Sequence, residues 1–124
     1  MTFLDTSVII DFLVGDNEIV TLVKEAYQKD DIKTTTINEY ELLKHKTELK
    51  RGIAEKFLSG VTVYPFDRAS AKKTAALYGK LREQGKMINE NDLLIAGISL
   101  SNDDMLLTRD RKFSNLGEAS IKIV

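Results

Sequence analysis

The chain has no cysteine among its 124 residues and a single histidine, His45. Without cysteine there are no disulfides and no thiolate metal sites. One histidine leaves little for a zinc centre, which prefers nitrogen and sulfur ligands. Tryptophan is absent and aromatic residues make up only 7%, so there is no stacking platform of the kind single-strand nucleic-acid binders use. No run of about 18 apolar residues occurs, which excludes a transmembrane helix. The start, Met1-Thr-Phe-Leu-Asp5, lacks the basic region of a secretory signal, so a cytoplasmic protein with no membrane attachment is expected. Charge of one sign is not in surplus either. The 18 basic and 19 acidic side chains give a net charge of −1, which argues against coating nucleic acid by bulk charge but permits a local basic surface.

What is present is an ordinary globular composition, 43% hydrophobic and 30% charged, in a length that suits one domain over residues 1–124. Strand and helix signals alternate. Residues 1–5 read as a first strand and residues 7–13 as a short buried helix broken by Gly15. Ile19, Leu22, Val23, Ala26 and Tyr27 follow the spacing of an amphipathic helix. Asp30-Asp31 marks a turn, and the β-branched run 32–37 reads as a second strand. Asn38 reads as the cap of the next helix, with Glu41 closing a capping-box-like pair. That helix heads towards Lys50, Gly52 interrupts it, and a further helix reaches Leu58. Residues 61–64 read as a strand ended by Pro65. Asp67 caps a long helix that ends near Gly85, and residues 86–91 form a polar connection. Residues 92–100 read as a compact apolar helix, 105–108 as a fourth strand and 120–124 as a terminal edge strand. Such alternation predicts a parallel sheet covered by helices on both faces, a three-layer α/β/α arrangement.

Four acids lie where such a sheet gathers active groups, at strand carboxyl ends and helix N-termini. Asp5 ends the first strand, Glu39 follows the second, Asp92 opens the apolar helix and Asp110 follows the fourth strand. Each has a bland reading as a helix-start or turn residue, since acids favour helix N-termini. With Asn38 and Glu41 supplying the cap, Glu39 is spare. Taken together at four matching ends, they predict an acidic cleft, and carboxylates crowded there stay ionised only beside a cation. Glu90, two residues from Asp92, is a supporting candidate. Asp11, Asp16, Asp30, Asp31, Asp67, Asp103 and Asp104 are read as solvated.

The segments Phe3-Leu-Asp5-Thr6-Ser7, Asn38-Glu39, Asn91-Asp92-Leu-Leu-Ile-Ala96 and Thr108-Arg-Asp110-Arg-Lys-Phe113 together resemble the PIN domain, and within it the VapC-type toxins of prokaryotic toxin–antitoxin pairs. The resemblance spans essentially the whole chain. Each motif is short, and the ordered set carries the weight. It implies a parallel five-stranded sheet of order 3-2-1-4-5 and a metal-dependent ribonuclease. On this resemblance Asp5, Glu39, Asp92 and Asp110 fall on the acidic positions, and Thr6 and Thr108 on neighbouring hydroxyl positions. It also implies a homodimer and a small cognate antitoxin as partner.

Hard carboxylate oxygens favour Mg²⁺ or Mn²⁺, which would activate water for in-line attack on an RNA phosphodiester and leave a 5′-phosphate and a 3′-hydroxyl. Asp5, Asp92 and Asp110 are the expected metal ligands. Glu39 would hold a second ion or orient the water, and Thr6 and Thr108 would fix carboxylate directions. For the RNA backbone the candidates are Lys44, Lys46, Lys50, Arg51, Arg82, Lys86 and Lys112, with Arg109 and Arg111 foremost because they flank Asp110. Most such charges belong to solvated faces, and His45 reads as a surface helix residue. Two alternatives stand beside the nuclease. A receiver-like signalling domain would need an acidic pair after the first strand, where this chain offers only Asp5. A non-catalytic interaction domain of similar fold would need no acid cluster at all.

Overall fold

The computed structural model describes residues 1–29, 31–44 and 47–124. Asp30, His45 and Lys46 lie outside the described residues, and with them part of the expected Asp30-Asp31 turn, one surface residue and one candidate phosphate contact.

The elements are β1 (Thr2–Leu4), α1 (Thr6–Leu13), α2 (Asn17–Lys29), β2 (Ile32–Thr35), α3 (Thr36–Leu43), α4 (Glu48–Leu58), β3 (Thr62–Tyr64), α5 (Arg68–Glu83), α6 (Glu90–Ser101), β4 (Met105–Thr108), a 3₁₀ helix (Arg111–Leu116) and β5 (Ile121–Ile123). All neighbouring strands pair in parallel, in the order β3-β2-β1-β4-β5. The expected order 3-2-1-4-5 is observed. It differs from the 2-1-3-4-5 order of receiver-like sheets, which removes that alternative.

The strands are only three or four residues long, and their alternation sorts side chains to two cores. Phe3 and Leu106 point to a core closed by Leu77 and Leu81 of α5, Leu93, Ile95 and Ile98 of α6, and Phe113 of the 3₁₀ helix. Leu4 and Leu107, one residue further along, point to the other core, with Val8, Ile9, Ile19, Val23, Leu42 and Ala54. Each fully buried aliphatic side chain contributes about 1.5–3 kcal/mol relative to exposure.

Three boundaries differ from the sequence reading, for local reasons. The second strand stops at Thr35, not at 37, because the Thr35 hydroxyl accepts the Asn38 backbone N–H at 3.1 Å and starts α3 two residues early. The cap is therefore Thr35, and Asn38 lies inside the helix. Secondly, α3 ends at Leu43, and α4 starts under a Thr47 cap and runs through Gly52 without a break. Thirdly, Asn89 accepts the Asn91 N–H at 2.9 Å, so α6 begins at Glu90 and shortens the polar connection. The Asp67 cap is as expected, accepting the Ser70 N–H at 2.9 Å. The 3₁₀ helix after Asp110 was not foreseen.

Helices α5 and α6 pack closely because Gly97 gives α6 no side chain where α5 presents Thr74. A Cβ at Gly97 would overlap the Thr74 hydroxyl and lie 3.1 Å from the Ser70 carbonyl oxygen. That crowded Thr74 hydroxyl finds no hydrogen-bond partner. Gly97→Ala is expected to destabilise the fold by about 1–3 kcal/mol, the usual cost of overpacking. Adding Thr74→Ala, which deletes the overlapping oxygen, should recover part of the loss. Chemical denaturation of the single and double variants measures both. A neutral Gly97→Ala would show that the helices can separate at no cost.

Candidate active site

β1 and β4 lie side by side at the middle of the sheet, and the chain leaves both at their carboxyl ends towards the same edge. Asp5 follows β1 directly. Its backbone N–H donates to the Leu107 carbonyl at 2.9 Å, and its side chain is 4% exposed. Three side-chain donors hold the carboxylate, beside the Thr6 backbone N–H. The Thr108 hydroxyl donates to Oδ2 at 2.6 Å, the Ser7 hydroxyl to Oδ2 at 3.3 Å, and the Asn38 amide to Oδ1 at 3.1 Å. Burial nevertheless pushes the Asp5 carboxyl above its ordinary value, with the donors opposing and the charge of Glu41 adding to the rise.

Thr108 ends β4 and is fully buried. Having given its proton to Asp5, its oxygen accepts the Asp110 backbone N–H at 3.0 Å. Asp110 in turn caps the 3₁₀ helix, accepting the Lys112 N–H at 2.9 Å. Asp92 stands in the first turn of α6, half-buried. Its carboxyl is pushed up to about 7, first by burial, then by the charges of Asp5, Asp110 and Glu41, and by a hydrogen bond with Asp110. Crowding and burial of acids disfavour the charged form where no cation neutralises them.

Sequence reasoning chose the wrong glutamate of α3 for this geometry. Glu41, not Glu39, faces the other acids: the Thr6 hydroxyl donates to its Oε1 at 2.7 Å, and its charge is felt by both Asp5 and Asp92. Glu39 takes no part in this network among the described residues. The error followed from placing the cap at Asn38, which explained Glu41 away. With the helix starting at Thr36, residues 38, 41 and 42 share one face, and Asn38 and Leu42 are its buried members. That i, i+3, i+4 spacing was the available signal. Thr6 and Thr108 lie where expected, against Glu41 and Asp5. Glu90 is exposed at the first residue of α6 and does not act on Asp92.

The basic candidates fare unevenly. Arg109 sends its guanidinium sideways, to Asp11 at 3.1 Å and Asp16 at 3.5 Å, while its backbone N–H donates to Ser7 at 3.0 Å. It clamps the β4 exit onto α1, and Asp11 and Asp16, read as solvated, are its partners. Arg111 and Lys112 are exposed beside Asp110, and Lys44, Lys50, Arg82 and Lys86 are also exposed. The Lys44 ammonium lies over the Tyr40 ring at 5.3 Å.

Residues 2–119 match the PIN domain family model. The chain belongs to the PIN domain family. Solved structures with the same fold include VapBC2 from Rickettsia felis bound to a promoter DNA fragment, with a TM-score of 0.85 at 19% identity. DNA-bound VapBC from Salmonella typhimurium gives 0.83 at 22% identity. Both alignments cover 99% of this chain and 96% of the other. VapBC-5, a toxin–antitoxin system of Mycobacterium tuberculosis, gives 0.69 at 28% identity with the same coverage. No curated protein matches the sequence. No helix among the described residues is long and apolar enough to cross a membrane.

The donor set is four hard carboxylates with no sulfur or nitrogen among them, which fits Mg²⁺ or Mn²⁺. Among the described residues, no group of three or more of these acids stands close enough together to hold a metal ion as the side chains lie. The pH dependence follows from Asp92. In the unfolded chain it ionises near 3.8, and in the fold near 7. Between these values the folded state binds more protons, so metal-free stability falls as pH rises through the window and levels off above it. Asp5 acts in the same direction. The melting temperature without metal should therefore drop from about pH 5 to about pH 8, and Asp92→Asn should flatten that slope. Thermal melts in chelator across this range are the measurement. An unchanged slope in the variant would remove Asp92 as its source.

Proposed function

We propose that the chain is a metal-dependent endoribonuclease and the toxin of a VapBC-type pair. The observation that carries the reading is the convergence of Asp5, Glu41, Asp92 and Asp110 on one edge of a PIN sheet, close enough for Asp92 to feel all three of the others. Asp5, Asp92 and Asp110 would hold Mg²⁺ or Mn²⁺ directly or through water, with Glu41 in the place first given to Glu39. The bound cation supplies charge neutralisation at the scissile phosphate and a more acidic water.

The chain's own groups define the rest. Thr108, Ser7 and Asn38 orient the Asp5 carboxylate, and Thr6 orients Glu41. Asp92, raised to about 7 by burial and neighbouring charge, would give up its proton where a cation is bound. Arg111 and Lys112, exposed beside Asp110, are placed to meet the RNA backbone. Arg109 positions the loop, since its guanidinium is already paired. The fold alone does not distinguish a nuclease from a non-catalytic interaction domain. The acids favour the nuclease, because Asp92, raised to about 7 by burial and then by its acidic neighbours, is the kind of perturbed group that gathers at functional sites.

An antitoxin has a surface to bind. Ile10 and Val14 of α1 and its C-cap, Leu42 of α3, and Leu49, Ile53 and Ala54 of α4 line an apolar cavity of about 330 Å³. Val14 is 76% exposed and Leu49 75%, which suits the apolar face of a helical segment laid in a groove. A basic residue of that segment, best an arginine, could then reach the acids in place of the metal. We also infer a C₂ homodimer, the commonest closed arrangement, with the exposed Tyr78 of α5 available to it.

The test is cleavage of a mixed cellular RNA pool with Mn²⁺, with the cut ends mapped. Asp92→Asn and Glu41→Gln should each lower cleavage by orders of magnitude, about 10²-fold or more for a lost transition-state contact, while Glu39→Gln should stay near wild type. Cleavage persisting in excess EDTA, or in Asp92→Asn, would sink the nuclease reading. Loss in Glu39→Gln with retention in Glu41→Gln would reverse the assignment of the fourth acid. Separately, Val14→Asp or Ile53→Asp should weaken the cognate antitoxin on the order of tenfold or more, as disruption of a packed anchor does. Titration calorimetry would show it, and unchanged affinity in both would move the docking site elsewhere.

A further inference from the structure

Asn38 is 0% exposed, and every hydrogen of its carboxamide is assigned. Nδ2–H donates to Asp5 Oδ1 at 3.1 Å and to Thr6 Oγ1 at 2.9 Å. Oδ1 accepts from the Thr35 hydroxyl at 2.7 Å. Thr6 has one proton and gives it to Glu41, so it can only accept from Asn38. The Asp5 carboxylate can only accept as well. The amide therefore has a single workable orientation, because a flipped Asn38 would aim its carbonyl oxygen at Asp5. The result is one continuous chain of hydrogen bonds, Asp5–Asn38–Thr6–Glu41. It ties an acid after β1 to an acid on α3.

We propose that Asn38 is a positioning residue that locks Asp5 and Glu41 into a common frame, and that this rigidity makes the acidic site favour a small, strictly coordinated cation over a larger one. The proposal rests on the metal-dependent reading above. The physical reason is the contrast between the two alkaline-earth ions. Mg²⁺ demands near-octahedral oxygens at about 2.1 Å, whereas Ca²⁺ accepts irregular shells at about 2.3–2.6 Å. If the frame loosens, the two carboxylates still supply charge, which serves Ca²⁺. They no longer supply fixed directions, which Mg²⁺ needs. Neither Asn38 nor Thr6 need touch the ion for this to hold. Partners that orient ligating groups commonly change metal affinity by about 10–100-fold.

The experiment measures Mn²⁺ binding to the full chain by electron paramagnetic resonance, with Mg²⁺ and Ca²⁺ as competitors. Wild type, Asn38→Ala, Thr6→Val and Asp5→Asn are compared, each checked for folding by circular dichroism. Asn38→Ala and Thr6→Val are expected to weaken Mg²⁺ by about 10–100-fold and Ca²⁺ much less, so the Mg²⁺-to-Ca²⁺ ratio falls. A merely structural role for Asn38 would shift the melting temperature and leave the ratio alone, and that result overturns the proposal. Equal losses for both ions also overturn it. Thr6→Val nearly preserves volume, removes both the bond to Glu41 and the acceptor of one Asn38 N–H, and leaves the Asn38–Asp5 bond in place, so it decides the matter if Asn38→Ala fails to fold. Asp5→Asn separates the two levels of inference. Wild-type Mn²⁺ binding in Asp5→Asn would reject the acidic site itself. Binding lost there but unchanged in ratio for the other two variants would reject only the positioning role.

Discussion

A carboxylate almost out of water at the end of the middle strand is costly to hold, and the arrangement around Asp5 answers that cost. An uncompensated buried charge destabilises a protein by several kcal/mol. Here the compensation comes from side chains on three elements, Ser7 of α1, Asn38 of α3 and Thr108 of β4. Satisfying Asp5 thus fixes where α1 starts, how α3 is rotated and where β4 stops. The remaining acids follow from those placements. Asp110 is two residues beyond Thr108 and bonded to it, and Glu41 is one helical turn beyond Asn38. The site is in this sense a consequence of burying one acid.

The opposite end of the sheet carries a matching constraint of reversed sign. Lys33 is 3% exposed in β2. Its ammonium lies 4.2 Å from the Tyr64 ring centroid and 4.8 Å from that of Phe3, and it is paired with Asp104. Strands of three or four residues give little apolar alternation with which to specify register. A one-residue slip of β2 would turn Lys33 into the aliphatic core formed by Leu4, Val8 and Ile9, with no carboxylate to meet it. Aromatic faces attract a desolvated cation, so the pair both tolerates burial and penalises the wrong register. Phe3 opposite Lys33 is the register observed.

The layers, and the placement of Asp5, Asp92 and Asp110 just beyond strand ends or at a helix start, were legible in local sequence patterns, whereas the strand order came only with the resemblance to the PIN domain. The alternation of short β-branched runs with amphipathic stretches is one such pattern. Acids just beyond strand ends are another. Glu41 was missed because two candidate caps, Thr35 and Asn38, lie three residues apart, and propensity does not choose between them. The choice is made by Asp5, which draws the Asn38 amide inward and leaves capping to Thr35. Arg109 was misjudged for a related reason. Adjacency to Asp110 in sequence pointed its charge at the site, whereas the turn after β4 directs it to Asp11 and Asp16 on the α1 side. The α4 boundary failed because Gly52, costly in an exposed helix by about 1 kcal/mol, is outweighed by the burial of Ala54 and Leu58.

The four acids divide into two mechanical classes, and the division bears on how such a site would work. Asp5 is tethered by hydroxyl and amide donors and cannot turn without breaking several bonds at once, while Glu41 is held by the Thr6 hydroxyl. Asp92 is half-buried at the start of α6 and hydrogen-bonded with Asp110. A cation entering the cluster would meet one firmly held carboxylate, Asp5, and one raised acid, Asp92, whose proton it would displace, which would couple its binding to pH. Asp92 is also the acid an incoming basic side chain could meet most readily, because it is half-buried whereas Asp5 is almost fully enclosed beneath it.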